Sequence, residues 1–218
     1  VLRSLTPELL DTLPHHHVDA LASRQDLVRV NAIMRNTSWL LQQIQQTHRD
    51  FHIHQWVELG AGDGYLGNQL VQTFENDNCQ ITGLDFAPRP ECWPEKWNWH
   101  QGDLWQWDHW SQVEGVIACL VLHHFSSDQL AELGKRIQKN CRYVIAVEPV
   151  RKKIHLWQAN LLTSLGMNRV TRHDARISVK AGFYRNELPE GMGLDSERWN
   201  ISLRQTWLGA YRLMAWRK

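Results

Sequence analysis

The stretch Val57-Glu58-Leu59-Gly60-Ala61-Gly62-Asp63-Gly64-Tyr65-Leu66-Gly67 decides the fold. Residues 55–60 read as a short apolar strand that runs straight into glycines. Leu66, Leu70, Val71 and Phe74 then recur at helical spacing toward a stop near Asn76-Asp77-Asn78. A strand that turns at once into a helix needs small residues at the bend, and glycine also lets a ligand approach the backbone closely.

Outward from this turn the same alternation continues. CQITGLD (79–85), residues 97–103, VEGVIACLVL (113–122) and CRYVIAVEP (141–149) read as further strands. Between the last two, Ser126 or Ser127 can cap a helix through Asn140, with Leu130, Leu133 and Ile137 on its buried face. Proline-rich PRPECWPEKW (88–97) allows no more than a short helix after the second strand. A helix is expected over 152–165, and the tail reads as two strands joined around Gly209. The expected fold is a Rossmann-like α/β domain over 51–218: seven strands, mostly parallel, an antiparallel C-terminal strand, and helices on both faces. Residues 1–50 read as a helical extension.

Two cofactor patterns overlap in the glycine loop. Gly60-x-Gly62-x-Gly64 after an acidic residue suits S-adenosylmethionine (SAM), whereas Gly62-x-Gly64-x-x-Gly67 matches the dinucleotide fingerprint by letter. The second pattern would extend the strand through Gly60, bury Glu58, and set Asp63 among amides meant for a pyrophosphate. SAM carries a sulfonium and no phosphate, so acidic side chains are tolerable there. Asp85, at the end of the second strand, stands at the interval of roughly 20 residues where a carboxylate accepts ribose hydroxyls. Asp103 could read an adenine amino group, with the Leu104 backbone amide beside the ring.

Composition narrows the partners. With 218 residues and a net charge of +1, the chain lacks the basic signature of a phosphate-neutralising surface, so nucleic acid is not expected. No apolar stretch approaches the roughly 20 residues needed to span a bilayer, and VLRSLTPELL shows no signal-peptide pattern. Cys79, Cys92, Cys119 and Cys141 form no CxxC pair, which favours free thiols and a cytoplasmic setting. No metal site is expected, since His52 and His54 have no evident third ligand. Six tryptophans fall between residues 93 and 110; packing explains them more simply than an aromatic ligand wall does.

The series VELGAGDG, ITGLD, QGDL, VIACLVLHHF and RYVIAVEP resembles the successive motifs of class I SAM-dependent methyltransferases. It is most similar to the bacterial small-molecule branch grouped with quinone-biosynthesis methylases. The resemblance covers residues 52–150 and a segment at 173–190; Arg29, Asn31, Met34 and Asn36 look like that branch's N-terminal lid helix. It implies SAM as cofactor, held by Glu58, Gly60, Ala61, Gly62, Gly64, Asp85, Phe86, Asp103, Leu104 and the backbone of Cys119. The short, proline-interrupted segment after Asp85 departs from the family's longer helix.

The chemistry expected is methyl transfer to an oxygen or carbon of a small, partly aromatic or polyketide-like acceptor. A SAM- or SAH-binding protein without turnover and a nicotinamide-dependent oxidoreductase are the alternatives. His123 and His124 follow the fourth strand at the ligand-binding edge, and an imidazole there could take a proton from a phenol or enol. His123 is the expected base and His124 the more structural of the two. Arg29, Met34, Asn36, Tyr65 and His173 are candidates for the acceptor pocket and its lid.

Overall fold

In the computed structural model, residues 2–14, 16–74, 77–161 and 166–218 are described. The parallel strands are β1 (Gln55–Leu59), β2 (Gln80–Asp85), β3 (Trp99–Gln101), β4 (Gly115–Cys119) and β5 (Tyr143–Pro149). β6 (Trp199–Gln205) and β7 (Ala210–Arg217) form the C-terminal hairpin. The sheet order is β3-β2-β1-β4-β5-β7-β6, with β7 antiparallel to both neighbours. The expected architecture is present, with shorter strands: residues 97–98, 102–103, 113–114 and 120–122 lie outside them. The strand order reverses between β1 and the neighbouring β4, and because the two are parallel the loops that follow them lie at one edge of the sheet.

Side chains alternate across the sheet and feed two cores. Val57, Leu59, Val116, Ala118, Val144 and Ala146 pack with α5 (Ser127–Asn140) and α8 (Glu187–Gly191). Trp56, Ile81, Ile117, Tyr143, Ile145 and Val147 face α3 (Asn36–Phe51) and α4 (Tyr65–Thr73). The expected cap of α5 is a reciprocal box: Ser126 Oγ accepts from Gln129 N, and Gln129 Oε1 from Ser126 N.

The N-terminal residues form α1 (Leu9–Thr12) and α2 (Val18–Ile33), which lie against α7 (Arg169–Ala181). α6 (Lys153–Leu161) lies within the helix expected at 152–165; 162–165 lie outside the described residues, as do Glu75 and Asn76 past α4. No described helix is long and apolar enough to cross a membrane.

No helix joins β2 to β3. Tryptophans fill that space: Trp93 and Trp97 are buried, and their indole N–H groups donate to Asn98 O and Cys79 O. Gly67 and Gly83 make room, since a Cβ on either would fall under 3 Å from the Trp93 or Trp99 ring. The cluster is core; of its six rings only Trp105 lines the main cavity.

Gly134 is the tightest seam, because a Cβ there would lie 1.9 Å from Met192 O. Gly134→Ala should therefore push α5 off α8 at a cost of about 1–3 kcal/mol, lowering Tm by roughly 2–12 °C. A thermal melt with unchanged Tm would show that α5 is not held against that carbonyl.

Candidate functional site

The turn after β1 is built by left-handed glycines: Gly60, Gly62 and Gly64 have φ of +63°, +57° and +73°. Gly60 N donates to Leu84 O at 2.9 Å and Gly62 N to Asp85 Oδ2 at 2.8 Å, which ties the loop to the end of β2. A Cβ at Gly60 would meet Val121 Cγ2 at 2.7 Å, whereas at Gly62 it would make only an ordinary contact with Gly60 O at 3.9 Å. Asp85 Oδ1 accepts from Ala87 N, and Asp103 Oδ1 from Trp105 N.

A cavity of about 1040 Å³ opens over this edge. Gly60, Gly62, Asp85, Phe86, Asp103 and Leu104 line one part of it, as expected from the sequence. Phe86 is 75% exposed, so its ring is bare at the rim. Ala61, Gly64 and Cys119 lie behind this surface rather than on it. Gly64 backs onto Pro90 and Trp93, and burial beside Glu148 and Glu58 pushes the Cys119 thiol up.

Glu58 corrects one expectation. It is buried inside β1 even though the strand stops before Gly60, so its burial does not separate the two cofactor patterns. Burial, reinforced by Asp63 and Asp85, pushes its carboxyl up to about 8. Its Oε2 has no hydrogen-bond partner among the described residues.

At the other part of the cavity the turn after β4 is gripped by Glu148, which is fully buried. Glu148 Oε1 accepts from Val121 N at 3.1 Å and Leu122 N at 2.8 Å; Oε2 accepts from His123 N at 3.3 Å and His123 Nδ1 at 2.7 Å. His123 Nε2 faces Glu8 Oε1 at 3.4 Å. Burial pulls the imidazolium pKa down, but hydrogen bonds and charge from Glu148 and Glu8 hold it at about 9. The Glu8 carboxyl, which burial alone would raise, is lowered by its bond to His123. At neutral pH His123 is thus a protonated, doubly paired group without a free lone pair. It does not fit the role of base that the sequence suggested.

His124 is the more exposed of the pair. Its Nδ1 lies 3.4 Å from Asp11 Oδ2, its Nε2 has no protein partner among the described residues, and it lines the cavity. Of the two histidines, His123 is thus the buried and doubly paired one and His124 the one with a ring nitrogen unpaired among the described residues, beside the cavity.

The acceptor-side candidates divide. Met34 lines the cavity, but Arg29, Asn36, Tyr65 and His173 do not. Arg29 points outward and pairs with Asp26. Asn36 is buried against Asn31, and Tyr65 begins α4 outside the cavity wall. His173 pairs with Asp174 and lines a separate shallow groove on the outer side of α7. The wall instead uses Glu8, Leu10, Leu13, Arg24, Val30 and Val179. Arg24 is half-buried near Asp63 and Asp85, whose charges partly offset the lowering of its pKa by burial. Asp174 holds the N-terminal segment here by accepting from Leu9 N and Leu10 N at 2.9 Å. Nothing in residues 2–13 forms a motif; only contacts with α7 and His123 reveal their place.

No family model matches the chain, and no curated protein matches it in sequence. Among solved structures it is similar to the plantazolicin methyltransferase BpumL in complex with SAH, with a TM-score of 0.71 and 10% identity over 93% of this chain and 91% of that one. It is also similar to the S-adenosylmethionine-dependent methyltransferase SibL in its apo form, with a TM-score of 0.63 and 14% identity over 99% of this chain and 64% of that one. A third likeness is to the small RNA methyltransferase HEN1, with a TM-score of 0.62 and 15% identity over 85% of this chain and 25% of that one. The chain therefore has the Rossmann-like methyltransferase fold.

Glu58 yields a test of the site's electrostatics. The unfolded chain ionises this carboxyl near its usual 4.5, while the folded chain keeps it neutral up to about 8. Between those values the unfolded state binds fewer protons, so this group makes stability fall as pH rises. Glu58→Gln removes that dependence. Its Tm relative to the unsubstituted chain should climb from about pH 5 to about pH 8 and then level off. A difference that does not vary with pH would show Glu58 to be ionised in the fold.

Proposed function

We propose that this chain is a SAM-dependent methyltransferase that methylates an oxygen or carbon of a small, partly aromatic molecule. The observation that carries the reading is a single cavity joining the glycine loop and its two aspartates to His124 beneath the N-terminal segment. Its volume of about 1040 Å³ is at the upper end of the range for one drug-sized ligand, which leaves room for a cofactor and a small acceptor together.

The residues suit an adenosyl sulfonium. Asp85 and Asp103 retain acceptor capacity toward the cavity for ribose hydroxyls and an adenine amino group, and Phe86 offers a ring face. Arg24 brings a cation for the methionine carboxylate. The Gly62 N–H is directed at a carboxylate rather than left for a phosphate, which favours SAM over a dinucleotide. BpumL, which shares the fold, is described with SAH and with a monoazolic desmethylPZN analogue. That pairing supports a small heteroaromatic acceptor by analogy alone.

In the reaction the acceptor atom attacks the methyl in line with sulfur. The new bond forms as the methyl–sulfur bond breaks, and the electron pair stays on sulfur. The chain's main contribution is alignment and exclusion of water. An acceptor hydroxyl also loses its proton, and we assign that step to His124, a reading supported by its place on the cavity wall.

Two variants test this. Asp85→Ala should weaken SAM and SAH alike by about 1.5–3 kcal/mol in calorimetry, since it removes a charged acceptor. Undiminished affinity would place the cofactor elsewhere. His124→Ala should leave SAM affinity intact and lower kcat by about 10²–10⁴ once an acceptor is in hand. Wild-type turnover would remove His124 from the chemistry.

A further inference from the structure

We propose that Glu8, His123 and His124 form a binding site for a divalent transition-metal ion, Zn²⁺ by preference, whose open position faces the cavity. The inference rests on the methyltransferase reading for its use but on separate observations for its existence. One donor atom from each of the three residues lies within 4.8 Å of the other two. The 3.4 Å between His123 Nε2 and Glu8 Oε1 is long for an N–H···O bond. It matches the roughly 3.3–3.6 Å edge of a tetrahedron built on metal bonds of about 2.0–2.2 Å.

The surroundings are those of a ligand set. His123 donates Nδ1–H to Glu148 at 2.7 Å, which turns Nε2 toward Glu8. His124 Nδ1 lies 3.4 Å from Asp11 Oδ2, and one nitrogen of its ring falls within 4.8 Å of the donor atoms of Glu8 and His123. A carboxylate behind the imidazole is the usual support of a metal-bound histidine. Two imidazoles and one carboxylate favour a first-row transition metal over Mg²⁺.

All three ligands line the cavity, so the remaining position opens onto the acceptor. The acceptor class this implies carries a hydroxyl that binds the ion through oxygen. The ion lowers that hydroxyl's pKa, its proton leaves to solvent, and the oxygen is held for attack on the methyl. His124 then acts on the acceptor through the metal. In the second cluster of such residues, His48, His54 and Asp77, His48 Nε2 and Asp77 Oδ2 lie 2.6 Å apart, a hydrogen-bond distance well short of the edge of a metal tetrahedron.

The test uses the full chain without a tag, stripped with chelator, in a His15→Ala/His16→Ala background that leaves only His17 of the histidine run at 15–17. Calorimetry with Zn²⁺ alone should give one site per chain, weakened at least about tenfold in Glu8→Gln and in His124→Ala. Co²⁺ should give the intense visible bands of a tetrahedral site, lost in both variants. Circular dichroism and Tm confirm that each variant is folded; His124 is partly exposed, so that variant carries the test if Glu8→Gln unfolds. Absence of Zn²⁺ binding, or equal binding in folded variants, overturns the proposal. SAH is titrated in parallel. If SAH binds and Zn²⁺ does not, the metal site falls and the methyltransferase reading stands; if SAH fails to bind, that reading itself falls.

Discussion

The grip of one buried carboxylate on the turn after β4 organises the rest of the site. Glu148, at the end of β5, satisfies three backbone N–H groups and the His123 ring. A carboxylate without such partners in that position would cost several kcal/mol. Its four donors make burial tolerable and pin a turn that would otherwise be poorly determined. Leu120 in this turn adopts φ +56°, a left-handed conformation that costs a β-carbon residue about 1–3 kcal/mol. His123, fixed from below, holds Glu8, and Asp174 holds Leu9 and Leu10. The N-terminal segment is thus laid over the cavity by polar contacts with elements far away in the chain.

Acidic groups are distributed unequally around this cavity. Glu58 has lost its charge to burial, while Asp85 keeps both oxygens in hydrogen bonds to backbone N–H groups. Of the carboxyls of Glu58 and Asp85, only that of Asp85 is organised by backbone N–H groups at the cavity. That arrangement favours a ligand with hydroxyl donors and a positive centre over one with phosphates, and it locates the discrimination in Asp85 rather than in Glu58.

The region between β2 and β3 shows how composition can replace an element. Prolines forbid a long helix there, and the indoles of Trp93, Trp97 and Trp99 supply the apolar area that a helix would have buried. Their N–H groups find carbonyls on the same side of the sheet: Asn98 O, Cys79 O and Ala87 O. Gly67, which the dinucleotide fingerprint would assign to cofactor packing, is small here because Trp93 lies on it.

How much was legible in the sequence follows the range of the interactions. The strand–turn–helix at 57–67, the cap at Ser126 and the closing hairpin depend on neighbours within a few residues, so periodicity and glycine placement determined them. Asp85 and Asp103 were legible for the same reason: each ends a strand whose position is set by local pattern. The two histidines were legible as a pair but not in their roles. Their protonation and exposure depend on Glu8, Asp11 and Glu148, which no spacing rule connects to them. The acceptor wall was least legible. Met34 was found on its helix, but Arg29, Asn36, Tyr65 and His173 turned away from the cavity, because a helix face is chosen by what packs against it. The sequence by itself determined the sheet, the glycine loop and the edge over which the cavity opens. Only the tertiary structure decided which imidazole is buried between two carboxylates and which lines the cavity, because burial and pairing depend on distances between residues far apart in the chain.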